Sequence, residues 1–348
     1  MKTIGITTTV PIEVLLAAGY KPVDLNNVFV SDPHPHRLVN IAERSGFPQN
    51  CCAWIKGIYG VCVDHDIDTV LCVTTGDCSN TIMLMEVLKL RGFKVIPFAY
   101  PNSPDANLMQ LSLEALSEAL GTTLEAAEKV KEELALCRRL TSQLDELTWK
   151  DNLVSSWQNH LWLVSSSDFN GDYHKYGQEL NQFLFECCQH QPYPEDMLRL
   201  GYIGVPPIFA QDLYRYVEQQ GARIVFNEVQ RQFAMPQPGN SLAEQYANYT
   251  YPYSIFDRLN DIIPELRRRR VDGVIHYVQA FCHRAIGDII FRQAIDLPVL
   301  TLEGNADYML TPHLRTKIEA FLDMLKRSQR QLSKVGGYMK GKAYGFRS

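Results

Sequence analysis

The chain has 348 residues, of which 46% are hydrophobic and 21% are charged, and its formal net charge is −5. This composition is typical of a globular protein with room for two domains, and a net negative charge excludes strong electrostatic attraction to nucleic acid. The basic run 267–270 is interpreted as a solvated helix end, and no apolar run reaches the roughly 18 residues of a membrane span. The N-terminal residues lack a signal-peptide pattern, so we expect a cytoplasmic protein without nucleic-acid or membrane partners.

The first hundred residues alternate between predicted strands and helices. Strands are predicted over residues 2–6, 22–25, 69–73 and 94–98, and helices over 12–18, from 50 onward and over 79–91. Residues 32–36 are predicted to form an irregular loop. This alternation predicts a parallel sheet covered by helices.

From 101 to about 194 the pattern changes to leucines at helical spacing, which predicts a helical segment. The alternation then resumes. Strands are predicted from 200 and over 223–226, 272–278 and 297–302, and helices over 209–220, 255–269, 285–294 and 311–327. The polar stretch 227–253 is predicted to be an irregular lid or binding loop. We therefore expect an α/β protein with two Rossmann-like parallel-sheet domains (1–103 and 196–303), an intervening helical segment (104–195) and a C-terminal helix and tail (304–348).

Three of the nine cysteines stand at the predicted starts of helices, namely Cys52, Cys78 and Cys282. Before Cys78, Gly76 permits a tight turn and Asp77 is expected to cap the helix. A thiol beside a helix N-terminus is expected to have a lowered pKa. Because strand C-termini and helix N-termini share one edge of a doubly wound sheet, two such domains facing each other would bring the three thiols together.

Helix N-termini present N–H donors, which suit an anionic iron–sulfur cluster. Three ligands would leave one iron of a four-iron cluster open to a substrate oxygen. The residues alone leave other roles open. One is simple burial of the thiols, another is a zinc site with His283 or His276 as fourth ligand, and a third is a nucleophilic cysteine.

Five stretches carry a resemblance to a known family: Val10–Leu25 (VPIEVLLAAGYKPVDL), Cys52–Gly60 (CAWIKGIYG), Thr74–Cys78 (TTGDC), His276–His283 (HYVQAFCH) and Leu314–Phe321 (LRTKIEAF). In this order they are similar to motifs of the 2-hydroxyacyl-CoA dehydratase / benzoyl-CoA reductase family, and the chain resembles its dehydratase D-component-like subunits. The resemblance covers nearly the whole chain.

The resemblance implies a [4Fe-4S] cluster held by Cys52, Cys78 and Cys282, with Cys51 as an additional candidate ligand. It also implies an ATP-hydrolysing iron–sulfur activator that delivers one electron, a homologous partner subunit in a hetero- or homodimer, and an acyl-CoA substrate. The expected activity is that of a lyase, which dehydrates a 2-hydroxyacyl-CoA through a ketyl radical. His283, next to a proposed ligand, is a candidate for proton transfer.

The sequence departs from the family pattern at several positions. Ala53 follows Cys52, where family members often have Pro or Ser, and Ser79 follows Cys78, where they often have Asp. The acidic motif before the last helix reads Glu303–Tyr308 (EGNADY). These departures put the substrate in doubt and leave two alternatives. One is a reductase of small molecules with a double-cubane [8Fe-9S] cluster, for which Cys51, Cys62, Cys187 and Cys188 are spare thiols. The other is a non-catalytic, cluster-carrying partner subunit.

Overall fold

The structure, a computed structural model, describes residues 2–65 and 67–342, except for the side chains of 332–342. It confirms the α/β class with two four-stranded parallel sheets. The first sheet has the order β2-β1-β3-β4 and consists of β1 (Lys2–Ile6), β2 (Tyr20–Asp24), β3 (Thr69–Thr75) and β4 (Lys94–Ala99). The second has the order β6-β5-β7-β8 and consists of β5 (Leu198–Ile203), β6 (Ala222–Asn227), β7 (Gly273–Gln279) and β8 (Val299–Gly304). The two sheets therefore share one topology.

Helices cover both sheets. Those of the first half are α1 (Ile12–Ala17), α2 (Leu25–Ser31), α3 (Pro35–Arg44), α4 (Ala53–Asp64) and α5 (Asn80–Leu90). The intervening segment contains α6 (Ala106–Leu120), α7 (Leu124–Trp149), α8 (Ser156–Ser165) and α9 (Tyr173–Cys187). The second half contains α10 (Ala210–Gln219), α11 (Glu228–Phe233), α12 (Leu242–Asn248), α13 (Ile255–Arg268), α14 (Asp288–Ala294) and α15 (Pro312–Lys342). No helix in the described ranges is long and apolar enough to cross a membrane.

The central strand β3 shows why the sheets need helices on both faces. Its residues 69–73 are all buried. Leu71 and Val73 pack into the core that α6 and α7 complete, whereas Val70 and Cys72 pack into the core formed with α4 and α5. Successive side chains of a strand point to opposite faces, so an apolar run of this kind is buried from both sides. Cys72 is thus a core residue.

Two regions differ from the sequence-based expectation. Residues 25–31 and 35–44 form α2 and α3, neither of which was predicted. The prediction that 227–253 is irregular was wrong, because this stretch forms α11 and α12 and packs against the first half. Its prediction as a lid or binding loop stays open, since Val229, Phe233 and Tyr251 line the cavity described below. Within this stretch Tyr246 is fully buried, and its hydroxyl donates to Glu13 Oε2 at 2.8 Å and to the Val10 carbonyl at 2.9 Å. Tyrosines that read as polar loop residues thus form part of a core.

The intervening helices connect the two halves through buried polar contacts. Arg269, after α13, donates to Asp145 of α7 at 2.9 Å, and Arg223 of β6 donates to the Val154 carbonyl at 2.6 Å. Both arginines are at most 2% exposed. On the other side, Arg138 of α7 pairs with the buried Glu13 of the first half at 2.6 Å. Such buried, hydrogen-bonded ions hold both halves against the intervening helices, since loss of either partner leaves a charge without compensation. The predicted domain limits at 103, 195 and 303 stay a prediction.

Candidate functional site

Two equivalent turns carry Cys78 and Cys282. β3 and β7 occupy the same position in their sheets, and each cysteine lies three residues beyond the end of its strand. Both turns contain a left-handed residue, Gly76 at φ 99° and Phe281 at φ 62°. Glycine adopts this conformation readily, whereas phenylalanine is strained there. The backbone thus places both thiols at the C-terminal edge of a parallel sheet, where ligands of such folds bind.

The third cysteine, Cys52, lies at the start of α4. It is the N-cap residue, and the helix begins at Ala53, two residues later than the prediction that placed Cys51 and Cys52 in its first turn. Cys282 likewise opens a 3-10 helix (His283–Gly287) before α14, and this corrects the predicted α-helix from 285. The Cys52 side chain is 5% exposed, whereas Cys51 is only half-buried.

All three cysteines line a single cavity of about 1090 Å³ between the halves of the protein. The first half contributes the ends of β1 and β2 and the starts of α2, α4 and α5 to its wall. The second half contributes the turn after β5, residues 205–209, and α8 contributes Trp157, His160 and Leu161. The structure thus brings together three residues that are 26 and 204 positions apart in the sequence. A cavity of this size accommodates a small-molecule ligand or cofactor.

Arg284 connects the two cysteine turns across this cavity. Its Nη2 donates to the Gly76 carbonyl at 2.8 Å, and its guanidinium lies over the Tyr251 ring, 4.6 Å from the centroid. Burial lowers the pKa of Arg284, but Tyr251, Asp77 and Cys282 outweigh that effect and raise it. A permanent positive charge therefore lies beside the thiols. Sequence reasoning missed it, although an arginine two positions after a candidate ligand is a signal that points to an anionic occupant.

The expected lowering of the thiol pKa was wrong. Burial raises the pKa of Cys52 to about 11 and that of Cys78 to about 12, and it also raises that of Cys282. Backbone N–H groups lower these values, but by less than burial raises them. Cys52 and Cys282 add to the shift at Cys78, because neighbouring thiolates repel one another. The three thiols are therefore protonated near neutral pH until a cation replaces the protons.

The sequence predicted that Asp77 caps α5, but in the structure it does not. The N-cap is Ser79, and no side chain forms a capping hydrogen bond there. Asp77 instead accepts a hydrogen bond from the Tyr251 hydroxyl at 2.8 Å. Burial raises the pKa of Asp77, and Arg284 opposes that shift. The carboxyl group thus belongs to the polar wall around Cys78 and not to the helix end.

Two polar groups of the cavity wall have no partner within the described residues. They are the Trp54 indole N–H and the Thr81 hydroxyl, both buried and both in residues that line the cavity. Leaving a buried donor unpaired costs roughly 1–3 kcal/mol. Trp54 follows Cys52 by two residues and Thr81 follows Cys78 by three, so both orphan donors lie on the cysteine helices. Other buried donors without a described partner, such as the Ser117 hydroxyl and the Trp149 indole N–H, lie away from the cavity, so this property is not specific to its wall.

The two candidate histidines lie elsewhere. His276 is 3% exposed in β7, where its Nδ1 lies 2.6 Å from Asp288 Oδ1 and its ring packs on Phe291. His283 is exposed, and its Nδ1 lies 3.5 Å from the Ser79 hydroxyl. Burial and Arg284 lower the pKa of His283. Within the described ranges neither of these two histidines lines the cavity, whereas His36 and His160 do.

The three thiols are compatible with a polynuclear cluster, which holds each thiolate on a separate iron. The described residues contain no group of three or more His, Cys, Asp or Glu side chains close enough to hold one metal ion. One tetrahedral zinc ion would bring its sulfurs to within about 4 Å of each other, since Zn–S bonds are about 2.3 Å. A cluster holds each thiolate on a different iron and so accepts a wider spacing. Three thiols and a buried guanidinium suit such an anionic group.

A buried carboxyl pair lies in another part of the wall. Asp168 accepts the Asp24 backbone N–H at 2.7 Å, and Asp24 accepts the Ser167 hydroxyl at 2.6 Å. Burial raises the pKa of Asp168 to about 7 and also raises that of Asp24. The next residues, Phe169 and Asn170, have φ values of 51° and 53°. The sequence predicted only a helical segment over 104–195, and it gave no signal that Asp168 would meet β2.

Comparison with known proteins identifies the family. The family model described as "2-hydroxyglutaryl-CoA dehydratase, D-component" matches residues 7–325. The chain belongs to this family. It is therefore a component of the 2-hydroxyacyl-CoA dehydratase type, and a D-component functions within an enzyme of several components. The resemblance read from the five motifs is confirmed.

Two further comparisons add little. A search of curated proteins gives no match. Among solved structures, the chain is similar to "Periplasmic heme-binding protein BhuT in complex with two hemes (holo-2 form)", with 12% identity over 93% of this chain and 97% of that chain and a TM-score of 0.22.

Proposed function

We propose that this dehydratase component holds a [4Fe-4S] cluster through Cys52, Cys78 and Cys282. The observation that supports this proposal best is the convergence of the three thiols, from two sheets and three helix starts, on a single cavity. Bound there, a cluster with one iron free of protein ligands supplies one-electron reduction and a Lewis-acidic contact for a substrate oxygen. The buried Arg284 compensates the negative charge of three thiolates.

The proposed reaction is the loss of water from a 2-hydroxyacyl-CoA. The α-hydroxyl and a β-proton leave, a carbon–carbon double bond forms, and the injected electron is returned, so the overall reaction is redox-neutral. The electron donor is an ATP-hydrolysing iron–sulfur activator, and a homologous subunit completes the enzyme. Apolar residues of the cavity, including Trp157, Leu161 and Phe209, would exclude water from the acyl group.

The spare thiols support one four-iron cluster over the double-cubane alternative. Cys62 is fully buried in the core beneath α4, Cys187 is 1% exposed within another core, and Cys188 is exposed. Cys51 is half-buried beside the N-cap of α4. None of these four lines the cavity in the described part of the chain. An eight-iron cluster would therefore require ligands that the cavity wall does not present.

The test is iron and acid-labile sulfide per chain in protein purified without oxygen. We expect about four of each, with broad charge-transfer absorption. About eight irons would support the double-cubane alternative, and an absence of iron would contradict the proposal. A second measurement mixes the iron-loaded protein with an activator, ATP and a 2-hydroxyacyl-CoA, with and without a homologous subunit. Cluster reduction without water loss in either mixture would identify the chain as a cluster-carrying subunit.

A further inference from the structure

His160 presents one free ring nitrogen to the cavity. The residue lines the cavity from α8 and is 4% exposed. Its Nδ1 lies 3.3 Å from Gln230 Nε2, whereas its Nε2 has no hydrogen-bond partner in the described part of the chain. Nε2 is nevertheless not among the polar atoms there that are cut off from solvent, so it has accessible surface, and it faces the cavity that His160 lines. A partner for Nε2 therefore has to come from an occupant of the cavity.

A chain of buried hydrogen bonds determines which ring nitrogen carries the proton. It starts at Asp145, whose pKa is lowered by neighbouring arginines and whose carboxylate only accepts. The Asn159 amide therefore directs its Nδ2 at Asp145, at 3.3 Å. Asn159 Oδ1 then accepts from Asn227 Nδ2 at 2.8 Å, which leaves Asn227 Oδ1 to accept the proton of the Tyr214 hydroxyl. Each amide orientation thus follows from the preceding hydrogen bond.

The same chain of hydrogen bonds ends at His160. Because the Tyr214 hydroxyl donates its one proton to Asn227, its oxygen accepts from Gln230 Nε2 at 3.3 Å. This orientation of the Gln230 amide directs an N–H group, and not the carbonyl oxygen, at His160 Nδ1. Nδ1 is then an acceptor, and Nε2 carries the proton. Burial lowers the pKa of His160 to about 3, so the ring is neutral near pH 7 and its Nε2 is a hydrogen-bond donor.

Aromatic and apolar neighbours hold this donor in a fixed position. The Trp157 ring stacks on the imidazole, with 5.3 Å between centroids and 24° between planes, and the Tyr214 ring packs on it at 4.7 Å. Trp157 and Leu161 lie on the same helix as His160 and line the cavity with it. A neutral donor in an apolar wall suits an uncharged oxygen, because it satisfies one acceptor without burying a net charge.

We propose that the Nε2–H group of His160 donates a hydrogen bond to the thioester carbonyl oxygen of the acyl-CoA substrate. This inference rests on the proposed function, which places the acyl group beside Trp157 and Leu161. The electron that the activator supplies puts negative charge on the carbonyl oxygen, and a preorganised donor stabilises charge that develops next to it. A neutral imidazole is a very weak acid, so it holds this oxygen without giving up its proton.

The first measurement determines the tautomer of His160 in the purified chain without substrate. Nitrogen NMR of protein that contains isotope-labelled histidine distinguishes a protonated from an unprotonated ring nitrogen, and the spectrum of His160→Gln assigns the signals. We expect a proton on Nε2 and none on Nδ1, at neutral and at mildly acidic pH, because the ring is buried. A proton on Nδ1, or a charged ring at neutral pH, would overturn the inference.

The second measurement compares affinities by calorimetry on iron-loaded protein without oxygen. The probes are 2-hydroxybutanoyl-CoA and its thioether analogue, in which a methylene group replaces the thioester carbonyl. His160→Leu removes the donor and keeps an apolar side chain of moderate size, whereas His160→Gln offers an amide N–H in place of Nε2–H. His190→Leu is the control, because His190 is exposed and does not line the cavity.

The loss should depend on the carbonyl group. For His160→Leu we expect the thioester to bind about tenfold more weakly, and the thioether analogue to bind as it does to the wild type. His160→Gln should recover much of the loss, and His190→Leu should not change the affinity. With activator and ATP, kcat/KM of His160→Leu should fall about a hundredfold, because the hydrogen bond strengthens as charge develops. Iron content should be the same in all four proteins.

The outcomes that contradict the inference differ from those that contradict the proposed function. Equal losses for both probes would place the hydrogen bond on an amide of the pantetheine arm, and equal affinities in all variants would show that no such bond forms. Either result overturns the inference and leaves the proposed function intact. If the wild-type protein holds iron but does not bind the thioester, the acyl-CoA part of the proposed function fails, and this inference fails with it.

Discussion

The two halves of the molecule contain equivalent turns, each with a different left-handed residue. The turn after β3 uses Gly76 as its left-handed residue, whereas the turn after β7 uses Phe281, which is 52% exposed. A Cβ on Gly76 would lie 2.8 Å from the Cβ atoms of Pro252 and Tyr100, so only glycine fits there. At Phe281 the surroundings are open and the strain is tolerated. Strained residues accumulate at functional sites, where the surrounding fold holds them in place.

Buried acids also differ in their partners. Glu228 pairs with Arg258 at 2.7 Å beside the second sheet, and Glu13 pairs with Arg138 at 2.6 Å beside the first. Asp24 and Asp168 instead accept only N–H and O–H groups in the described structure. The arginine partner lowers the pKa of Glu228 and keeps it ionised, whereas burial raises the pKa of Asp168 and favours its neutral form. Variants matched by position or by chemistry sharpen these comparisons.

The largest expected effect is on metal content. Cys78→Ser and Cys282→Ser remove equivalent proposed ligands, one from each half. Each should abolish the visible absorption and most of the bound iron, because a hydroxyl is a poor replacement for a thiolate on iron. The measurement is absorption with iron analysis. Cys188→Ser, at an exposed position, serves as control. Full iron in either ligand variant would break the equivalence of the two turns.

The next effect concerns the buried acids and pH. The pKa of Asp168 is raised to about 7, so its protonated form is favoured by folding. Its contribution to stability is complete below its unfolded pKa of about 4, and is lost as pH rises to about 7. One pKa unit corresponds to about 1.4 kcal/mol, so this carboxyl should cost the wild-type protein a few kcal/mol in the free energy of unfolding as pH rises to about 7. Asp168→Asn should not show this pH-dependent loss.

The comparison variant is Asp145→Asn. Arg269 and Arg231 outweigh the effect of burial and lower the pKa of Asp145, so its contribution is present above the unfolded pKa and is lost as the medium becomes acidic. Urea unfolding from about pH 3 to 8 should therefore give a pH-dependent difference between about pH 4 and 7 for Asp168→Asn, and one of opposite sign below about pH 4 for Asp145→Asn. Curves of the same slope would show that the two carboxyl groups are not buried in different ways.

The connection between the halves is tested through Arg284. Arg284→Met leaves the Gly76 carbonyl and Asp77 without their cation, and should cost about 2–3 kcal/mol in the free energy of unfolding. Arg292→Met is the matched control. Its side chain is 48% exposed, and its pair with Asp288 should contribute less than about 1 kcal/mol. Equal costs for the two variants would show that Arg284 does not join the turns.

The smallest effects come from the left-handed residues themselves. Gly76→Ala introduces both a strained φ and a contact below 3 Å, so it should destabilise the protein by about 2 kcal/mol. Phe281→Gly relieves strain but gains freedom in the unfolded chain, and we expect a change within about 1 kcal/mol. Thermal unfolding of both variants measures the difference. A large cost for Phe281→Gly would show that the exposed ring has a packing role.

Local sequence signals predicted most of the elements because they depend on near neighbours. The buried strand at 69–73, Gly76 and the helix that follows are readable from apolar runs and turn residues. The same signals failed at α2, which begins directly after β2 with no separating turn residue, and in 227–253, where tyrosines are buried by distant partners. The prediction of a lowered thiol pKa failed for the same reason. Burial depends on the whole fold, and it raises the pKa by more than the N–H groups of the helix terminus lower it.

The sequence by itself determined the class of fold, the family and the three cysteines at helix starts, because each depends on spacing along the chain. Only the tertiary structure decided that these thiols share one cavity with Arg284 and that Asp168 meets Asp24. Such contacts join residues up to 208 positions apart. Their energies depend on burial and on the charges that packing brings near, and no local pattern encodes either.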